Sequence, residues 1–311
     1  MALRLKESDG RTAVLISKGV HPDWRGTLAT YMKCLGLQLV EVELNEGATD
    51  QASFAAALAA RKVDPSRLAA IAIQTPNFFG TIENVKAVAD AAHALGALCV
   101  VGANPIALSL VEAPGKQGAD MVCGEATSMG NKAWFGGPGA GYLCSRMEFV
   151  RQMPARIAGE TRDGSGRRAF VLTFATREQH IRRAKATSNI CTNVALFALM
   201  ATIYLATLGK QGLQRVGELS TAKAHYAADQ LTRIPGVSLR FAQPFFKEFT
   251  LRLPKSPTSV VARLAKRRIL PGVPLKTYDK TLADSLLVAV TEQRTKDEID
   301  AFAGALAEVL K

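Results

Sequence analysis

The sequence carries no pair of cysteines at metal-ligand or redox spacing. Its 5 Cys, at positions 34, 99, 123, 144 and 191, lie mostly inside apolar runs, with no CxxC and no His at ligand distance. Structural zinc and a disulfide framework are therefore not expected, and a reducing cytoplasm fits. Aromatic residues are scarce at 6%. They do not interleave with the basic clusters Arg167-Arg168, Arg177 with Arg182-Arg183-Lys185, and Lys266-Arg267-Arg268, which argues against a stacking surface for nucleic acid. No apolar run reaches the roughly 18 residues of a membrane-spanning helix. Met1 to Lys6 offers none of the roughly 7–15 apolar residues of an export signal, so a cytoplasmic protein without membrane contact is expected. The net charge of +12 still has to be accounted for, and it leaves an anionic substrate or an acidic partner as candidates.

The 311 residues are 48% hydrophobic with 25 Gly, enough for one large or two ordinary domains with a full core. Strand-like and helical patterns alternate from the start. Thr12–Ser17, Leu37–Val42, Leu68–Gln74 and Ala97–Gly102 read as strands; Trp24–Leu35, Ala52–Arg61 and Ile82–Leu95 read as helices. This alternation predicts an α/β fold with a mostly parallel sheet covered by helices on both faces. Two long helical stretches follow, from about Asn193 to Leu208 and from Gly212 to Leu231. Beyond Pro235-Gly236, short strands and helices suggest a smaller C-terminal α+β domain. Residues 1–209 form the expected large domain and 210–311 the small one.

Ligands of such sheets bind at the carboxyl ends of the strands, where Gln74–Gly80, Ala103-Asn104-Pro105 and Gly124–Ser128 stand. Phe135–Gly141 is rich in glycine, yet an apolar run follows it in place of a helix with a Lys-Ser pair, so a turn between strands is the better reading than a phosphate loop. Lys132, in the same region, is a candidate Schiff-base lysine; its plain alternative is a solvated loop side chain. Asn104 occupies the kind of strand end where pyridoxal phosphate enzymes place an Asp, and an amide cannot supply that charge. His21, His93 and His225 have no partners at recognisable spacing.

The run TREQHIRRAKATSNICTN, Thr176–Asn193, is dense in polar and cationic residues, although strongly apolar segments flank it. One reading is a solvated helix face. The other is a functional surface, because such a run gains little from packing. Within it, neighbouring cations Arg177, Arg182 and Arg183 disfavour the protonated form of His180. The run closely resembles the signature of the glycine cleavage system P-protein family, glycine dehydrogenase (decarboxylating, aminomethyl-transferring), in the half known as subunit 1. Further matches lie in order along the chain: Gly19-Val20-His21-Pro22, Thr30-Tyr31, Gln74–Gly80, Pro114-Gly115, Gly124-Glu125, Phe135–Pro138 and Met153-Pro154-Ala155-Arg156.

The resemblance implies a fold type I pyridoxal phosphate-dependent aminotransferase-like architecture. It also implies an oxidoreductase of glycine catabolism that decarboxylates glycine and passes the aminomethyl group to the lipoyl arm of H-protein, reducing its disulfide. In the cofactor-bearing half the lysine aligns with Thr127, which leaves Lys132 out of register. On this reading pyridoxal phosphate is held by the partner, glycine dehydrogenase subunit 2, with none bound covalently here, so that activity requires a heteromer. The chain itself would then carry no catalytic, cofactor-binding or metal-ligating residue of its own. The residues expected to line the shared active site or the subunit interface are Arg177, His180, Arg182, Arg183, Thr187, Ser188, Asn189, Thr192 and Asn193. The family's subunit 1 has a long further segment ahead of the position matching Met1. The chain is therefore expected to be a shortened product or a fragment, with an inactive remnant or a partner-binding scaffold as the alternative function.

Overall fold

The computed structural model describes residues 1–131, 136–137, 139–186 and 194–311, with Arg177 described in its backbone alone. The chain opens with a short helix, α1 (Ala2–Leu5), and then alternates β1 (Ala13–Ser17), α2 (Pro22–Cys34), β2 (Gln38–Val42), α3 (Gln51–Ala60), β3 (Leu68–Thr75), α4 (Val85–Ala94) and β4 (Leu98–Ala103). After these come β5 (Met121–Glu125) and β6 (Gly141–Ser145). These strands form a six-stranded sheet in the order β2-β1-β3-β4-β5-β6, parallel except for β6, which pairs antiparallel with β5.

Side chains alternate between the two faces of this sheet, as the period of 2 requires. Leu15, Ile71, Ile73, Cys99, Val101 and Val122 face a core closed by Phe54 and Leu58 of α3 and by Val85, Val88 and Ala92 of α4. Val14, Ala70, Leu98 and Met121 face the other way, against Met32 of α2 and Leu3 and Leu5 of α1. Helices cover both faces, as expected from the sequence. The caps are local: Asp50 accepts from Ser53 N at 2.8 Å and starts α3, and Asn84 accepts from Ala87 N at 3.1 Å and starts α4.

Past the sheet, β7 (Ile157–Arg162) and β8 (Arg168–Thr173) make a separate two-stranded hairpin. The polar run then enters a short helix, α5 (Gln179–Arg182). The two expected long helices follow one another in α6 (Ala195–Thr232), separated by a kink at Gly209, whose φ of 61° and ψ of −172° lie outside the helical region. Only glycine adopts that conformation without strain, so the break belongs to this residue. The apolar part ahead of it, residues 195–208, is about 21 Å long at ~1.5 Å per residue, short of a bilayer core of about 30 Å. Its outer side chains are uncovered: Leu196, Leu199 and Ile203 are more than half exposed.

The last part holds β9 (Ser238–Leu239), β10 (Glu248–Arg252), α7 (Pro257–Ala265), β11 (Val273–Pro274), β12 (Ser285–Ala289) and α8 (Lys296–Leu310). Its sheet, in the order β11-β12-β10-β9, is antiparallel. One face of it packs on Leu231 of α6, Val260 and Leu264 of α7, and Ile299 and Leu306 of α8. The other face turns to the large sheet through Leu287, which shares a cluster with Phe79, Leu275 and Leu282. Thr295 and Glu298 close a capping box at the start of α8.

Candidate functional site

The carboxyl ends of β3, β4 and β5 place Gln74, Asn104 and Thr127 along one edge of the large sheet. All three are engaged within the chain. Gln74 Oε1 accepts from His21 N at 2.9 Å, and its Nε2 donates to the Pro76 carbonyl at 3.2 Å. Asn104 Oδ1 accepts from Ile106 N at 3.0 Å and Ala107 N at 3.4 Å, so its side chain starts the turn after β4. The Thr127 hydroxyl donates to Glu125 Oε1 at 2.5 Å, and Thr127 N donates to the same oxygen at 2.9 Å. Burial, with the nearby thiols of Cys123 and Cys144, pushes the Tyr142 phenol up, and its hydroxyl donates to the Ala103 carbonyl at 2.8 Å.

Among the described residues, this donor set does not by itself fit pyridoxal phosphate. A cofactor held here would need an amine for the aldehyde and a carboxylate for the ring nitrogen. The edge instead offers a hydroxyl already tied to a carboxylate and an amide spent on a turn. Lys132, the other amine considered, lies outside the described residues.

The described part of the polar run, residues 176–186, is mostly exposed and is not one continuous helix. It breaks into a single turn at Ala175–Arg177, the short α5, and a further turn at Arg183–Lys185. Phe174 before it is left-handed, at φ 53°, and Arg183 within it has φ 52° and ψ −126°, a conformation strained for a residue with a Cβ. The first helix holds the last described residues of the run: Arg4 donates to the Lys185 carbonyl at 2.7 Å and to the Ala186 carbonyl at 2.9 Å.

Of the candidate residues, His180, Arg182 and Arg183 lie on this exposed segment. Thr187, Ser188, Asn189, Thr192 and Asn193 lie outside the described residues, as does the side chain of Arg177. Among the described side chains, His180 Nδ1 is 3.7 Å from Glu178 Oε2, which also pairs with Arg156 Nε at 3.5 Å. Glu178 itself is only 11% exposed at its side chain, and its Oε1 has no hydrogen-bond partner among the described residues. Sequence reasoning passed over Glu178. The available signal was its place as the one acid in Thr176–Asn193.

The profile of the glycine cleavage system P-protein family matches residues 1–306. The chain belongs to that family. It is 44% identical over 306 residues to the probable glycine dehydrogenase (decarboxylating) subunit 1 of Geotalea daltonii, covering 98% of this chain and 67% of that protein. To the protein of the same description from Moorella thermoacetica it is 45% identical over 300 residues, covering 96% and 66%. The chain thus spans about two thirds of the length of these relatives. Among solved structures, glycine decarboxylase (P-protein) of the glycine cleavage system, in inhibitor-bound form, superposes with a TM-score of 0.87 at 39% identity. That match covers 99% of this chain and 68% of that one. A NifS-like protein from Rickettsia africae superposes with a TM-score of 0.68 at 13% identity, which shows the fold alone. The P-protein fold here is that of the fold type I pyridoxal phosphate enzymes.

Proposed function

We propose that this chain is the subunit of glycine dehydrogenase (decarboxylating) that does not bear the cofactor. It supports decarboxylation of glycine and transfer of the aminomethyl group to the lipoyl arm of H-protein, with pyridoxal phosphate carried by subunit 2. The observation that carries this reading is Thr127, bound to Glu125 where the family's other half has its lysine. The subunit 1 description of the relatives supports a partner subunit. So does the uncovered apolar surface: Phe170 and Leu172 on β8 and Leu196 and Ile203 on α6 are each about 60% exposed. A two-stranded hairpin alone is marginal in water, and a partner seated on these faces would bury them.

On this reading Arg177, His180, Arg182, Arg183, Thr187, Ser188, Asn189, Thr192 and Asn193 face the partner's site or the carrier's approach. The Glu178 oxygen that has no partner among the described residues is then available to a donor from across the interface. The division into a large domain, 1–209, and a small one, 210–311, is supported by the break at Gly209.

The test is exchange of labelled bicarbonate into the glycine carboxyl group. The chain alone should show no exchange and no pyridoxal absorbance, and subunit 2 should restore both. Cofactor absorbance in the isolated chain would overturn the assignment, and absence of exchange in the mixed pair would leave the scaffold reading.

A further inference from the structure

A cleft of about 610 Å³ opens between the carboxyl ends of β1 and β2 and the small sheet. It lies beside the switch point of the large sheet. β1 has β2 on one side and β3 on the other, and loops leaving such a point diverge to make a ligand crevice. Its size lies within the range of small-molecule pockets, and its lining includes neither Asn104 nor Thr127.

Three of its cations lie deeper than the acids they pair with. Lys18 is 31% exposed at its side chain and pairs at 2.5 Å with Glu43, which is 74% exposed. Arg25 is 15% exposed and pairs with Glu41, which is 42% exposed. From the small sheet, Arg240 is 20% exposed and pairs at 3.5 Å with the 43% exposed Asp284. Arg252 and Lys280 sit nearer the rim, with the exposed Glu46. The remaining acid, Asp279, turns Oδ1 to Thr281 N at 2.8 Å and Thr281 Oγ1 at 2.6 Å. Burial would raise its carboxyl, but these hydrogen bonds and the fields of Lys18 and Arg25 hold it below the ordinary carboxylate value. An apolar wall completes the cleft: Phe79 stacks edge-on with Phe241 at 5.9 Å, and Tyr278 stands on the same side.

We propose that this cleft is a second ligand site, for a small organic anion that places a carboxylate or phosphate among Lys18, Arg25 and Arg240 and a planar body against Phe79, Phe241 and Tyr278. The rim acids are displaced on binding: Glu43 and Glu41 give up their cations to the ligand and turn to water. The ligand spans both sheets, so it bridges the two halves of the chain. This inference stands independently of the subunit assignment.

The experiment is calorimetric titration of the full chain with phenyl phosphate and benzoate as probes, against inorganic phosphate and phenol. Phenyl phosphate or benzoate should bind saturably and at least about tenfold tighter than either fragment, and the tighter of the two names the head group. Lys18→Gln should weaken binding about tenfold, and Glu43→Gln should tighten it, because a competitor for Lys18 is gone. A gain from Glu43→Gln cannot come from unfolding. No saturable binding of either probe, inorganic phosphate binding as tightly as phenyl phosphate, or both substitutions moving the affinity in one direction would each overturn the proposal.

Discussion

Glu83 is 4% exposed, has no cation beside it, and gathers three donors. Thr49 N reaches it at 2.9 Å, Thr49 Oγ1 at 3.0 Å and Asn77 Nδ2 at 2.8 Å. Burial pushes its carboxyl above the ordinary carboxylate value, and the hydrogen bonds only partly counter this. With the folded pKa raised, the native state holds the proton more tightly than the unfolded chain. Stability is then greatest below the unfolded pKa and falls as pH rises from that value through the folded one. Glu83→Gln should flatten this fall, read as urea midpoints from about pH 4 to about pH 8; a variant with the wild-type slope would assign the effect elsewhere. Glu83→Ala should destabilise by about 1–3 kcal/mol for each donor left buried and unpaired. At Cys99, burial and then the Asp120 carboxylate push the thiol up to about 12. An alkylating reagent in the native protein should label the exposed Cys34 and Cys144 and spare Cys99. The apolar run around Cys99 agrees with its burial, but the sequence did not separate it from the exposed Cys34 and Cys144. Nothing in the sequence announces Glu83, because its partners sit 34 and 6 residues away, on loops that only the folded sheet brings together.

The segment Gln74–Gly80, read as a strand-end loop, is also the joint between the two sheets. Thr250 Oγ1 of β10 donates to the Phe79 carbonyl at 3.0 Å, Ile82 N donates to the Pro244 carbonyl at 2.9 Å, and Thr81 bridges to Phe245. Gly80 has φ 97° and lies so close to Glu248 that a Cβ would overlap its backbone carbonyl. Gly80→Ala should therefore cost more than about 2 kcal/mol, while Gly115→Ala, where a Cβ meets open space, should stay within about 0.5 kcal/mol. Denaturant midpoints of the two variants decide it; equal effects would remove the joint. The parallel strands were legible as short continuous apolar runs: Leu15 and Val14 go to opposite cores, so both faces of β1 are buried. β7 was not legible because it has no buried face, and β12 because five residues of short apolar run do not distinguish strand from helix.

On the scale of the molecule, an exposed apolar surface and exposed cations follow one another along the chain. The hairpin exposes Phe170, Val171 and Leu172, and the run after it carries exposed Arg182 and Arg183. If the apolar part seats the partner subunit, amides of β7 and β8 should exchange rapidly with solvent in the isolated chain and become protected in the complex. If the cationic part guides an acidic lipoyl carrier, the double substitution Arg182→Glu with Arg183→Glu should lower the rate at limiting carrier and leave the rate at saturating carrier nearly unchanged, because surface charge acts mainly on encounter. Added salt should erase the difference between wild type and variant, since attraction between exposed charges is screened over about 10 Å at ~0.1 M. A variant with wild-type rates at low salt would return these arginines to the role of a solvated surface. A variant impaired equally at high salt would move them into the site itself, because a contact made in a desolvated interface is screened far less than one made through water.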